Sequence, residues 1–88
     1  MLRIQRTSQF KKDIKRMLRR NADMDKLKYV LELLIRQKKL PGKYKNHNLT
    51  GNFHGRQECH IDPDWLFIYR VDEEYLYLER TGTHSDLF

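Results

Sequence analysis

Four histidines, His47, His54, His60 and His84, are the side chains of this 88-residue sequence best suited to move protons near neutral pH. An imidazole has an unperturbed pKa of about 6.5, so it takes or gives a proton without a large shift. His60 follows Glu58 by two residues, and Asp64 lies just beyond the Asp62-Pro63 turn signal. Two chemistries suit such a group. One is a divalent-metal site built from Glu58, His60 and a further histidine. That signal is weak, because no His-x-x-x-His or similar ligand pair is present. The other is metal-free cleavage of RNA, whose 2′-OH is a built-in nucleophile. Such cleavage needs a base for the 2′-OH proton, an acid for the departing 5′-oxygen and a cation for the phosphorane charge. Histidine serves as base or acid. Arg56 and Arg80 are candidate cations, since guanidinium matches phosphate geometry.

Each of these residues also has a plain structural use. A single histidine on a loop or strand is most often solvated or hydrogen-bonded. Arg56 and Arg80 can be occupied by ion pairs with Glu58 or Glu79. Phe88, after Ser85-Asp86-Leu87, can tuck into the core or stack on an unpaired base, and the pattern leaves both open. Cys59 is the sole cysteine, which excludes an intramolecular disulfide and a four-cysteine zinc site.

The elements that must position these groups follow from periodicity. Leu2 and Ile4 alternate with polar residues in a short first strand. Phe10, Ile14, Met17 and Leu18 recur at helical spacing, so residues 9–20 form an amphipathic helix after an N-cap at Thr7 or Ser8. Asn21 closes it in a left-handed cap. Asp23 or Asp25 caps a second helix reaching about Lys38, with Leu27, Val30, Leu31, Leu34 and Ile35 as its stripe and Leu40-Pro41-Gly42 as its end. Residues 43–55 have no clean period and are expected to be a loop. From Gly55 the period becomes two, giving strands at 56–61, 65–71 and 75–81. The order is β-α-α-β-β-β: one α+β domain over residues 1–88, with a helical hairpin on one face of a small, mainly antiparallel sheet. Alternation sends Leu66, Ile68, Leu76, Leu78, Cys59 and Ile61 toward the helices. It leaves Glu58, His60, Phe67, Tyr69, Tyr77 and Glu79 on the opposite face, where the chemistry is expected.

Charge is the other strong signal. The net charge is +6, yet residues 1–50 carry 15 basic and 4 acidic side chains while residues 51–88 carry 3 and 8. Lys11, Lys12, Lys15, Arg16, Arg19 and Arg20 line the outer face of the first helix. A basic face of this density suits a polyanion such as nucleic acid, or an acidic protein. The composition, 39% apolar and 34% charged, argues against a membrane protein and against full disorder. No apolar run approaches the roughly 20 residues of a membrane span, and no secretory signal is seen. A cytoplasmic location is the expectation.

Three blocks of sequence are similar to the YafQ branch of the RelE/ParE toxin superfamily. They are Tyr44 to Gly51, Arg56 to Trp65, and Glu79-Arg80-Thr81-Gly82-Thr83-His84-Ser85-Asp86-Leu87-Phe88, supported by Asp25-Lys26-Leu27-Lys28-Tyr29 at the second helix. The resemblance covers nearly the whole chain. It implies a toxin of a type II toxin–antitoxin module, folded like a small microbial ribonuclease, that enters the ribosomal A site and cuts mRNA without a metal or cofactor. It also implies an acidic antitoxin that silences the toxin, with DNA engaged only through the joint complex. Residue by residue, the resemblance carries catalytic roles to His47, His60, Asp64 and His84, and a substrate contact to Phe88. The family's aspartate two places before the strand histidine is Glu58 here, one methylene longer. The basic face of Lys11, Lys12, Lys15 and Arg19 would meet ribosomal RNA or the antitoxin. A non-catalytic toxin of the same fold, as in the ParE branch, and a plain RNA-binding module are the alternatives.

Overall fold

The computed structural model describes residues 1–88. Strand β1 (Arg3–Arg6) leads into Thr7, which joins two elements at once. Its hydroxyl accepts from the Phe10 N–H at 3.0 Å and donates to the Glu79 carbonyl at 2.9 Å. The same side chain therefore starts helix α1 (Ser8–Arg19) and ties it to the last strand. Asn21, at φ 59°, ends α1 in the left-handed turn that its small polar side chain tolerates. Helix α2 (Met24–Ile35) is capped by Asp23, which accepts from the Asp25 N–H at 3.1 Å. It stops short of the expected Lys38, because Gln37 takes a left-handed φ of 58° before the Pro41-Gly42 signal is reached.

The expected α+β architecture is present, with two additions. Within residues 43–55, expected to be a loop, His47–Asn48 form a short strand, β2, flanked by single turns of 3-10 helix at Gly42–Tyr44 and Gly51–Phe53. Two paired residues are too short to show a period. Strands β3 (Gln57–Asp62), β4 (Trp65–Val71) and β5 (Tyr75–Gly82) follow, and the tail then closes in one helical turn, α3 (His84–Leu87). Thr83 announces that turn. Its hydroxyl accepts from the Asp86 N–H while Asp86 accepts from the Thr83 N–H, a reciprocal cap of Thr-x-x-Asp form. The sheet order is β1-β5-β4-β3-β2, antiparallel except for the parallel β1–β5 pair.

The helices cover one sheet face, and there the alternation of β4 was misassigned. Trp65, Phe67 and Tyr69 face the helical hairpin together with Cys59, Ile61, Leu76 and Leu78. Leu66 and Ile68 point the other way, into a smaller apolar cluster with Leu49, Phe53 and Leu87. Phe67 and Tyr69 therefore do not belong to the site face, and Leu66 and Ile68 do. The physical reason is position. β4 is the central strand, Trp65 to Tyr69 are all buried, and a strand buried on both faces carries no polar phase to read. Phe67 meets Phe10 of α1 edge-on at 5.9 Å and stacks on Tyr69 at 5.2 Å, anchoring α1 to the sheet. Burial of a side chain of this size contributes roughly 1.5–3 kcal/mol.

Candidate active site

The second apolar cluster is the floor on which the chemistry-bearing residues stand. Leu87 packs into it from α3, and the same helical turn begins with His84. The His84 ring Nδ1 lies 2.8 Å from Asp64 Oδ1, and the His84 backbone N–H donates to the same oxygen at 3.1 Å. A carboxylate only accepts, so the ring carries its proton on Nδ1 and leaves Nε2 free to take or give one. The two hydrogen bonds from His84, ring first and backbone second, hold the Asp64 carboxyl below its ordinary range. Both side chains are exposed.

α3 is also held from the other side. Asp86 accepts from both Arg20 Nη groups, at 2.6 and 3.1 Å, and Arg16 Nε lies 3.6 Å away. The Arg20 pair, followed by the Thr83 cap, keeps the Asp86 carboxyl far below the usual carboxylate range. Gly82 makes this approach possible. At φ 156° it adopts a conformation that favours glycine, and a Cβ there would stand 2.8 Å from Asp86 Oδ2.

A second histidine–carboxylate pair lies on the outer strands. β2 pairs with β3 so that His47 is directly opposite Glu58. His47 Nδ1 is 2.8 Å from the Lys45 carbonyl, so that nitrogen is a donor, and Nε2 faces Glu58 Oε1 at 3.4 Å. Glu58 is only 6% exposed, and its second oxygen, Oε2, is buried without a partner. His60, two residues along on the same face, makes no hydrogen bond through its ring, and its centroid is 6.0 Å from that of His84. A reacting group between these two imidazoles would have one on each side.

The remaining residues divide. Arg56 Nε binds Glu79 at 3.0 Å, as its structural alternative anticipated. Arg80 is held by neither Glu58 nor Glu79. Its Nε and Nη2 bind Asp13, at 2.7 and 3.3 Å, leaving Nη1 without a protein partner. Phe88 does not plug the core. It is 64% exposed and touches only the rim, meeting Phe53 edge-on at 5.7 Å. Lys11, Lys12, Lys15 and Arg19 are exposed, and none forms an ion pair. His54 is exposed, and only its backbone takes part, its N–H donating to the Gly51 carbonyl at 3.0 Å and its carbonyl accepting from Arg56 at 3.4 Å. Burial, with the neighbouring Glu58 charge, pushes the Cys59 thiol up to about 12, which removes it as a nucleophile.

Sequence reasoning missed Asp13, the Arg20–Asp86 clamp and the floor residues Phe53 and Leu87. Asp13 carried a signal, since Phe10, Asp13 and Met17 fall at core-facing helical spacing and all three are buried. The suggested metal set of Glu58, His60 and a further histidine does not converge, and no three His, Cys, Asp or Glu side chains form a metal-binding group.

A helical hairpin on one sheet face and paired histidines and carboxylates on the other place the chain among small bacterial toxins. The family model described as a bacterial toxin of type II toxin–antitoxin system, YafQ, matches residues 2–88. The chain belongs to this YafQ family. It is 44% identical over 86 residues to the mRNA interferase toxin YafQ of Escherichia coli K12, covering 97% of this chain and 94% of that protein. The toxin in a crystal structure of the E. coli DinJ–YafQ toxin–antitoxin complex superposes with a TM-score of 0.91 at 43% identity, covering 99% of this chain and 97% of that one. A metal-bound toxin from Helicobacter pylori superposes at 0.93 with 38% identity, and each chain is fully covered.

Proposed function

We propose that this chain is the toxin of a type II toxin–antitoxin module, an endoribonuclease that cuts mRNA on the ribosome through the 2′-OH by metal-independent acid–base chemistry. The observation that carries the reading is the Asp64-bound His84 facing the free ring of His60 at 6.0 Å. One neutral imidazole takes the 2′-OH proton as that oxygen attacks the adjacent phosphorus. One imidazolium gives a proton to the departing 5′-oxygen. The products are a 2′,3′-cyclic phosphate and a 5′-hydroxyl, so neither water nor metal enters the first step. Base and acid are drawn from His47, His60 and His84. Asp64 orients His84, Glu58 faces His47, and Arg80 Nη1 and Arg56 are the nearby cations for phosphate charge. The endoribonuclease reading is supported by the E. coli relative being an mRNA interferase toxin.

An acidic antitoxin is the proposed protein partner, supported by the DinJ–YafQ assembly of the relative and by the unpaired basic face of α1. DNA would be met only through that complex. No helix is long and apolar enough to cross a membrane. A toxin acting on the ribosome would work in the cytoplasm.

The test is purified ribosomes programmed with a defined message. Cut mRNA that persists in EDTA and stops when the scissile 2′-OH is replaced by hydrogen supports the reading. Loss of cutting in EDTA would make the protein a metal nuclease. Binding without cutting would leave an RNA-binding module or a ParE-like toxin.

A further inference from the structure

A cavity of about 630 Å³ opens between the first half of α2, the Gly42–Tyr44 turn and the end of β3. It adjoins the histidine group on two sides. His60 forms part of its wall, and the turn that carries its Lys45 is the one whose Lys45 carbonyl holds His47. Its lining combines cations with an aromatic ring. Lys26 is neutralised by Asp62, at 3.0 and 3.1 Å. Asp25 is the other acid in the wall, whereas Lys43 and Lys45 have no carboxylate partner, although the Lys43 ammonium lies 5.2 Å from the Tyr44 ring centroid. Tyr29 is 50% exposed on this wall, backed by the buried Tyr44 at 6.3 Å between ring centroids. Nothing in the core needs the Tyr29 ring to stay in water. A half-exposed aromatic ring beside unpaired lysines is the arrangement that takes a base on its face and a phosphate at its edge.

We infer that this cavity is a nucleotide subsite: it takes an RNA residue flanking the scissile phosphate, with the base on Tyr29 and its phosphate at Lys43 and Lys45. The inference rests on the endoribonuclease reading. His60 links the two places, because its ring lies 6.0 Å from that of His84 and it also forms part of the cavity wall. A strand held at the imidazoles could therefore continue round the β3 edge of the sheet to Tyr29, and a contact there would fix its position. This geometry raises the chance that the 2′-oxygen, phosphorus and 5′-oxygen come into line.

The experiment uses the full-length toxin and ribosomes programmed with messages that carry one abasic ribonucleotide, moved stepwise past the cleavage position. In the wild type, removal of one flanking base should slow single-turnover cleavage about tenfold or more, the range for loss of one base stack. Tyr29→Ala should lose the same factor on the intact message and become indifferent to that base. Tyr29→Phe should keep the wild-type rate. Lys43→Gln with Lys45→Gln should slow cleavage and flatten its salt dependence. Wild-type cleavage by Tyr29→Ala, with unchanged abasic sensitivity, would overturn the subsite. So would a Tyr29→Ala defect confined to antitoxin binding, since the cavity would then seat a protein. If the wild type leaves every message intact, the nuclease reading has failed instead, and ribosome binding of the same message series decides the cavity. Binding that depends on one base and on Tyr29 retains it; binding indifferent to both removes it.

Discussion

Asp86, in the last helical turn, is gripped at 2.6 and 3.1 Å by Arg20, the residue that ends α1, so the short turn that presents His84 is held by Arg20 through Asp86 and by Asp64 through His84 itself. The grip orients the catalytic candidate more than it stabilises the fold, because Arg20 is exposed and such a pair is screened by water. Arg20→Ala should therefore leave the melting temperature almost unchanged and slow cleavage by on the order of 10- to 100-fold through misplacement of His84. Gly82→Ala should act in the same direction, since its methyl group would drive Asp86 away from Arg20. Because the Asp86 carboxyl titrates below its ordinary value, the clamp is fully present above about pH 3.9. It is lost as pH falls through the lower folded-state value. Amide exchange across 83–88 in the two variants measures the loosening directly.

His84→Gln removes the titrating ring while keeping hydrogen-bonding capacity. If His84 transfers a proton, single-turnover cleavage should drop by roughly 10² to 10⁴. The melt should hardly move, because the side chain is exposed. Asp64→Asn should give a smaller loss of rate and should change the pH profile of cleavage, since the acceptor that fixes the Nδ1 proton is altered. An unchanged rate in His84→Gln would remove it from the mechanism and leave His60 and His47.

Leu87 and Phe88 are neighbours with opposite fates, one 8% and the other 64% exposed. Leu87→Ala should cost about 2–5 kcal/mol of stability, as for other buried leucines. Phe88→Ala should leave the melt intact and cost about 1–3 kcal/mol of substrate positioning if the ring stacks on a base. Thermal melts beside single-turnover rates separate the two. Equal stability losses would mean that the rim position of Phe88 is not maintained in solution.

The helical hairpin was legible because its apolar spacing was nearly strict, Leu18 alone of the α1 stripe being exposed, and the three long strands because turn residues bound them. Phe10, Met17, Leu27, Val30 and Leu34 are buried where the period placed them. The β4 phase was not, because Trp65 to Tyr69 are apolar without interruption, and a fully buried strand looks the same in either phase. β2 was hidden because His47 and Asn48 are both exposed and only two residues pair. Among the site residues, Asp64 was legible as a candidate from its place just past the turn, but not its bond to His84, which lies 20 positions away. The Asp13–Arg80 bond was not, because it spans 67 positions and Asp13 follows two lysines that suggest a solvated turn.

The basic face of α1 offers an independent test of what the toxin binds. Lys11, Lys12, Lys15 and Arg19 are exposed and make no ion pairs, so reversing them to Glu should leave the fold unharmed. Ribosome binding should weaken, and its dependence on salt should become shallower as phosphate contacts are lost. Affinity insensitive to both salt and the reversals would reduce the charge asymmetry to a solubility feature.

Arg80 poses the sharpest question about structure against catalysis, because Asp13 already occupies two of its three nitrogens. Asp13 is fully buried and also accepts from Gln9, from Arg16 Nη2 at 3.0 Å and from the Thr81 N–H. Burial pushes its carboxyl up, but the hydrogen bonds from Arg80, Gln9 and Thr81 outweigh that and hold it below its ordinary value. Its contribution to stability is thus present above about pH 3.9 and is lost as pH falls through the lower folded-state value. Asp13→Ala strands the guanidinium and should cost about 3–5 kcal/mol, with any loss of cleavage then uninterpretable. The informative variant changes both partners. Asp13→Asn with Arg80→Gln keeps a hydrogen-bonded pair of similar shape and removes both charges, so it should melt closer to the wild type than Asp13→Ala does. Its stability should also lose part of the wild type's acid-side pH dependence. If the free Nη1 of Arg80 meets the phosphorane, cleavage in this folded variant should fall by roughly 10² to 10³, as for loss of one preorganised donor. Wild-type cleavage in the same variant would show that Arg80 serves only to join α1 to the sheet, and would leave Arg56 as the cation at the reaction centre.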